Sequence, residues 1–371
     1  MRILLVDLGR DYRGGQQQAL LLLEGLAARG HEPQLLAPRD SMLAKCAHDA
    51  GIPTRVVGRS SRQFLSARAI RAMLAEVRPE ILYANEPHAL TAAWIARAHR
   101  RTPVVASRRV IFPLSRGAIS MARYRAAARI IAVSQCVASA LRTSGLPADR
   151  ISVIPDGVPI PTMRSDRSRN AARKSFGISI GVPLLGNVAA FTPDKGQANL
   201  IAALAVVRSR IPQCQLLLAG EGPSRTELER QVSNAHLNGA VHFVGYVDDI
   251  SRVYNAIDVF AFPAQTEALG TALLSAMSYG LPVVALARGG IPEVIEDAHN
   301  GILVEDPEGD ALAGAIIQLL IRQDEALRLG KAAREAICSR FSVDRMVEST
   351  LDLYRVLVSD VKNLERISKS K

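Results

Sequence analysis

The clearest chemistry in this sequence belongs to a carboxylate in a short loop between an apolar run and a helical pattern. Phe260-Ala261-Phe262-Pro263 leads through Glu267 to Gly270, and Thr271-Ala272-Leu273-Leu274-Ser275-Ala276-Met277-Ser278 ends at Tyr279-Gly280 before Pro282. The pattern predicts a strand that stops at Pro263 and a helix from about Gly270. Left-handed capping closes that helix at Gly280, and a new strand follows Pro282. Glu267 then lies beyond the carboxyl end of a parallel strand, where open α/β sheets bind ligands. Gly270 and Thr271 offer helix-start amides toward the same point. A carboxylate that accepts sugar hydroxyls, beside amides that hold phosphate, is what a nucleotide-sugar requires.

Three further segments repeat the arrangement of strand, glycine turn and helix start. Arg288-Gly289-Gly290-Ile291-Pro292-Glu293 puts two glycines before a proline at the first helical position, a second amide-rich turn at the same sheet edge. Phe191-Thr192-Pro193-Asp194-Lys195-Gly196 sets a lysine at a helix start, where it can neutralise a diphosphate. A lone loop lysine is more often plain surface, so this segment alone is weak. Gly9-Arg10-Asp11-Tyr12-Arg13-Gly14-Gly15 opens a helix, and its paired glycines let a phosphate or sugar approach the backbone. It lacks the spacing of the dinucleotide fingerprint, which argues against an NAD-dependent oxidoreductase. Asn85-Glu86-Pro87-His88 follows an apolar run, and reads equally as an acceptor-facing edge or as a capped turn.

These loops need a scaffold of parallel strands. Apolar runs at 3–6, 34–37, 54–57, 81–84, 104–107, 130–134 and 151–154 alternate with helical patterns, the first at 16–29. Polar, turn-rich residues at 159–172 read as a linker. The alternation restarts with strands at 183–189, 215–219, 241–244, 259–262 and 283–287 and a helix at 197–208. A long helical pattern at 342–366 ends it, with Met346, Leu351, Tyr354 and Val358 on a related face. This is an α/β chain, and 371 residues suit two domains rather than one core.

Charge is unevenly placed. Of the net +11, the first 160 residues carry +12, from 23 basic and 11 acidic side chains, and all but one of those basic residues are arginine. Such a field draws this half toward anionic partners such as phospholipid head groups or phosphorylated glycolipids. A nucleic-acid partner lacks any helix-turn-helix, zinc or RNA-binding signature. The four cysteines are scattered with no metal spacing and read as reduced, as in a cytoplasmic protein. The start is too soon interrupted by charge for a signal peptide, and the uncharged stretch 268–287 breaks at Gly280 and Pro282 rather than reading as a membrane span.

The segment 263–285, the turn 288–293, Ala219-Gly220-Glu221-Gly222-Pro223, Phe243-Val244-Gly245-Tyr246 and Lys195-Gly196 together resemble the family 4 glycosyltransferases. Gly14-Gly15, Arg29-Gly30-His31-Glu32 and Ile154-Pro155-Asp156-Gly157-Val158 are similar to that family as well, so the likeness spans nearly the whole chain. The resemblance implies the GT-B fold, with two Rossmann-like domains whose parallel sheets face a central cleft. An acceptor-binding domain would take residues 1–165 with the C-terminal helix at about 345–371, and a donor-binding domain residues 175–344. It implies a retaining, metal-independent transferase with no cofactor, moving sugar from a nucleotide-sugar, a UDP-sugar by preference. The basic first half points separately to the acceptor, a glycan or glycolipid of lipopolysaccharide or capsule type reached by peripheral attachment to the cytoplasmic face of the inner membrane. By the same resemblance Glu267 contacts the donor sugar and Lys195 the diphosphate. Gly14, Gly15, Glu221, Leu269, Gly270, Thr271, Ser275, Gly289 and Gly290 complete the donor site, while Asn85, Glu86 and Arg108 stand on the acceptor side.

Three positions depart from the family pattern. The second glutamate of its E-x7-E motif is Ser275, the usual arginine five residues before the lysine is Ala190, and the usual histidine of the first domain is replaced within Ser107-Arg108-Arg109-Val110. Serine bonds a ribose without charge assistance. Arg109 or Arg108 is the candidate to supply the missing phosphate cation. Two alternatives stay open: a GT-B relative that binds without transfer, and a sugar-nucleotide epimerase.

Overall fold

The computed structural model describes residues 1–58, 63–115, 117–306 and 310–369. Three of the arginines behind the basic first half, Arg59, Arg62 and Arg116, lie outside the described residues, as do residues 370 and 371 of the C-terminal segment. The chain divides into two compact units, Met1–Gly157 with Val343–Lys371, and Val158–Ser342.

In the first unit the strands are β1 Arg2–Val6, β2 Glu32–Pro38, β3 Thr54–Val57, β4 Ile81–Ala84, β5 Val104–Arg108, β6 Arg129–Ala132 and β7 Ile151–Val153. Between them run α1 Gly14–Ala28, α2 Met42–Asp49, α3 Gln63–Glu76, α4 Pro87–Ile95, α5 Ala118–Ala126 and α6 Gln135–Thr143. All seven strands are parallel, in the order β3-β2-β1-β4-β5-β6-β7. Successive residues Ile3 to Val6 of β1 and Ile81 to Ala84 of β4 are all buried, so the central strands are apolar on both faces, as a covered parallel sheet demands. The order reverses between β1 and β4, which makes their carboxyl ends the natural ligand crevice of this sheet.

The second unit contains α7 Asp166–Ser175, β8 Leu184–Val188, α8 Gln197–Arg210, β9 Gln215–Ala219, α9 Arg225–Asn234, β10 Val241–Gly245 and α10 Ser251–Ala256. It continues with β11 Val259–Phe262, α11 Thr271–Ser278, β12 Val283–Leu286, β13 Ile302–Val304, α12 Asp310–Ile321 and α13 Gln323–Arg340. Its six parallel strands follow the order β10-β9-β8-β11-β12-β13, reversing between β8 and β11. The last helix, α14 Val343–Lys369, returns to the first unit, where Met346, Val347, Leu351 and Tyr354 join the core built on α1 and β1.

Part of the stretch expected as a linker is ordered helix. The Ser165 hydroxyl accepts from the Ser168 amide at 3.1 Å, and this cap starts α7. Arg173, fully buried, then donates to the carbonyls of Ile180 at 2.7 Å, Val182 at 2.6 Å and Ala256 at 2.9 Å, and to Asp258 Oδ2 at 2.6 Å. These bonds tie α7 to the segments that lead into β8 and β11, and the second unit begins at Val158. The uncharged stretch 268–287 is interrupted at Gly280, where the Leu281 amide reaches back to the Ala276 carbonyl at 3.3 Å and ends α11. Among the described residues no helix is long and apolar enough to cross a membrane.

Candidate active site

Lys195 leaves β8 and Glu267 leaves β11, so the two residues stand on either side of the point where the second sheet reverses. Lys195 Nζ lies 3.0 Å from Glu267 Oε2 and 3.4 Å from Asp194 Oδ2. Both members of the closer pair are about four-fifths buried, with side chains 22% and 19% exposed. Burial works against the charge on Lys195, but Glu267 and Asp194 outweigh it and raise its pKa. The lysine is therefore a firmly held cation. Glu267 Oε1 accepts from the Ala268 amide at 3.1 Å, which fixes the carboxylate in turn.

Backbone contacts lock these loops together. The Gln265 amide donates to the Asp194 carbonyl at 2.8 Å, and the Gly290 amide to the Glu267 carbonyl at 3.0 Å. Gly196, at φ +71°, approaches so closely that a Cβ would sit 2.0 Å from the Pro263 carbonyl oxygen. Gly289, at φ +58°, would place one 1.9 Å from the Glu267 carbonyl oxygen. The Phe191 amide donates to the Glu221 carbonyl at 2.9 Å, which adds the turn after β9 to the same set. Four strand exits thus form one rigid edge.

Leu269 is buried, and the N–H groups of Leu269, Gly270 and Thr271 donate to no other backbone group among the described residues. They stand at the start of α11, where a helix presents positive potential to an anion. Gly290 differs from the expectation of a free amide, because its N–H already serves the Glu267 carbonyl; the turn it opens is a single 3-10 turn, Ile291–Glu293. Ser275 lies in the second turn of α11, close to the phenol of Tyr254, which donates to the Ala272 carbonyl at 3.2 Å.

The first unit gathers another set where its own sheet reverses. Asn85, at the exit of β4, donates to Asp7 Oδ2 at 2.6 Å and to the Gly15 carbonyl at 3.0 Å, and accepts from Arg109 Nη1 at 2.9 Å. Arg109 also donates from Nε to Asp156 at 2.9 Å and from Nη1 to Ser107 Oγ at 2.7 Å. Asp156 raises its pKa against the opposing effect of burial. Glu86 caps α4, accepting from the amides of Ala89 at 2.6 Å and His88 at 2.5 Å, and takes the Leu8 amide at 3.2 Å. Arg108 Nη2 donates to the Phe112 carbonyl at 2.6 Å. Asn85, Glu86 and Arg109 are thereby engaged with their own unit rather than presented as open contacts.

Sequence reading passed over Asp7, Asp194 and Tyr254. Asp7 did carry a signal, since it is the first charged residue after the apolar run of β1. Asp194 and Tyr254 carried none beyond ordinary surface and core character. Among the described residues no cluster of His, Cys, Asp or Glu is suited to a metal.

Two family models match the chain: Glycosyltransferase Family 4 over residues 12–160 and Glycosyl transferases group 1 over residues 168–336. Between them they span most of both units. The chain belongs to the group 1 glycosyltransferases.

Its two parallel-sheet units give it the GT-B fold of this family. The Anabaena protein HepE, solved in complex with UDP-glucose, superposes with a TM-score of 0.84 at 25% identity, over 96% of this chain and all of that one. The GDP-mannose-dependent alpha-(1-6)-phosphatidylinositol monomannoside mannosyltransferase of Mycobacterium tuberculosis is 30% identical over 219 residues, 56% of this chain and 57% of the relative. The lipopolysaccharide core biosynthesis glycosyltransferase LpsE of Rhizobium meliloti is 29% identical over 46% of this chain and 49% of its own length. The chain spans about half the length of the curated relatives it matches.

Proposed function

We propose that this group 1 glycosyltransferase moves a sugar from a UDP-sugar to a glycan or lipid-linked acceptor in cell-surface polysaccharide synthesis, with retention and without a metal. The observation that carries the reading is the Lys195–Glu267 pair beside the helix-start amides of α11. Glu267 is placed to accept sugar hydroxyls. Lys195 and the amides of Leu269, Gly270 and Thr271 offer positive charge and dipole to the diphosphate. Gly14 and Gly15 are assigned to the donor through their amides, and Glu221 through the turn after β9. We assign donor recognition mainly to the second unit and the acceptor mainly to the first.

In this reaction the acceptor oxygen bonds C1 on the face from which the C1–O bond to the diphosphate breaks. The departing phosphate oxygen takes the acceptor proton. Stabilising the leaving diphosphate is then the main task of the protein, and a held lysine with oriented amides does this with little reorganisation.

A UDP base is supported by HepE, whose structure holds UDP-glucose, and a surface polysaccharide by LpsE, named for lipopolysaccharide core synthesis. Thermal melting with UDP-, GDP-, ADP- and dTDP-sugars tests the donor. At a ligand excess of about 100 over Kd, a UDP-sugar raises Tm by roughly 5–10 °C. A shift with GDP-sugars alone would move the assignment to the other base, and no shift with any would remove the donor reading. Ser275, in place of the family's second glutamate, favours a second reading in which ligand binds without transfer. Ligand-induced stabilisation with no product formed from any acceptor would establish it.

The basic excess of the first 160 residues supports attachment to an anionic membrane surface at the cytoplasmic face. The protein should sediment with vesicles containing phosphatidylserine in 0.05 M salt and leave them in about 0.5 M, as screening shortens the reach of its charge. Binding that ignores salt, or no binding, would remove this assignment.

A further inference from the structure

The β1–α1 loop of the first unit is held by buried polar groups to a degree that a connecting turn does not need. Asp7 is fully buried, and its carboxylate accepts from the Gly9 amide at 2.9 Å, Gln16 Nε2 at 3.1 Å and Asn85 Nδ2 at 2.6 Å. Asn85 Nδ2 also reaches the Gly15 carbonyl at 3.0 Å. Gln16 Oε1 accepts from the Arg13 amide at 3.2 Å, and Glu86 takes the Leu8 amide at 3.2 Å. The loop is therefore fastened at Leu8, Gly9, Arg13 and Gly15, and three of these four bonds come from Asp7 or from a side chain bonded to it. Arg109 stands behind the set, with one nitrogen on Asn85 Oδ1 and another on Asp156.

An aspartate in this position is costly. Burial raises the pKa of Asp7 above the ordinary carboxylate range, against the hydrogen bonds of Asn85, Gly9 and Gln16 and the charge of Arg109. Glu86 is likewise raised by burial, and Asp7 adds to the effect. Two desolvated carboxylates that repel each other oppose folding, and their hydrogen bonds to the loop offset part of that cost.

We propose that Asp7 and Asn85 are positioning residues that hold the 8–15 loop in one conformation, with the Gly14 and Gly15 amides in place before the nucleotide-sugar binds. Arg109, locked to Asp156, keeps the Asn85 amide turned so that its nitrogen serves Asp7 and Gly15. The inference rests on the donor reading for Gly14 and Gly15, but the fastening itself does not. It gives Asn85 and Glu86 a part in loop geometry instead of acceptor contact.

Asp7→Asn keeps the shape and removes the charge. Its amide must set a nitrogen either against the Asn85 and Gln16 amides or against the Gly9 amide, donor to donor, so one of these fastenings is lost whichever way it turns. Gln16→Ala is the milder companion, since Gln16 is only half-buried and its loss leaves the core intact. Two measurements separate positioning from general support. The first is limited trypsin cleavage after Arg10 and Arg13, both in the loop, followed by mass spectrometry. The second is the split between donor KM and kcat. Asp7→Asn should raise loop cleavage about tenfold and donor KM about tenfold, with kcat within about threefold; Gln16→Ala should do the same at about threefold. Wild-type cleavage rates in both variants overturn the proposal, and so does cleavage that accelerates equally at sites throughout the unit. Loop-selective cleavage with no nucleotide-sugar bound by the wild type keeps the fastening and instead removes the donor reading.

Discussion

Glu267→Ala lowers kcat by about 10²–10³-fold at saturating donor, and Lys195→Ala lowers it by a similar factor. The two side chains touch at 3.0 Å, so the double variant should lose little more than either single one. The reason lies in what each leaves behind. Without Glu267, the lysine turns toward Asp194, 3.4 Å away, and no longer points where a diphosphate would lie. Without Lys195, Glu267 remains tied to the Ala268 amide but stands as an uncompensated carboxylate facing the same phosphates. Steady-state turnover, together with donor Kd from calorimetry, checks this. Wild-type turnover in Glu267→Ala would remove the residue from the active site. Losses that multiply in the double variant would show that the pair does not act as a unit.

The second large effect comes from a residue with no side chain. Gly289→Ala adds a Cβ 1.9 Å from the Glu267 carbonyl oxygen and 3.0 Å from its carbon, at φ +58°. Neither partner is a flexible side-chain end, so the backbone of one loop must move. The left-handed strain and the forced displacement together cost about 3 kcal/mol. On the scale of domains this size, that lowers the Tm of the second unit by roughly 6–12 °C. The displacement breaks the bond from the Gly290 amide to Glu267, so turnover falls even at temperatures where the variant is folded. Circular dichroism melts with turnover measured at 20 °C test both parts. A variant with wild-type Tm would show that the two loops are not in the contact described.

Much of the fold was legible because its signals are local. The strands at Thr54–Val57, Ile81–Ala84, Gln215–Ala219 and Val259–Phe262 fall where apolar runs between turn residues placed them. Gly280 stops α11 through its own φ of +71°, a property of one residue and its neighbours. The stretch at 159–172 misled for the opposite reason. Its composition is that of a connector, and the helix it enters depends on Arg173 finding Asp258, 85 residues away, and carbonyls of another element. The strand Ile302–Val304 went unread because three residues are too few for a period to show.

The candidate site divides along the same line. Strand, loop, glycine and helix start around Glu267 follow from sequence, because turn chemistry and capping act within a few residues. Which loops meet was decided only by tertiary structure. Lys195 and Glu267 are 72 positions apart, and Asp7 and Asn85 are 78 apart. Each pair meets because a parallel sheet reverses its strand order between the two strands concerned, and that order is settled by packing across the whole unit. The same packing tied Arg109 to Asp156 and Asn85, 47 and 24 positions away, partners that no local pattern announces. Sequence by itself determined that this chain is a two-unit α/β glycosyltransferase with a carboxylate at a strand exit. The tertiary structure decided what that carboxylate faces, since a contact between distant loops has no local signature.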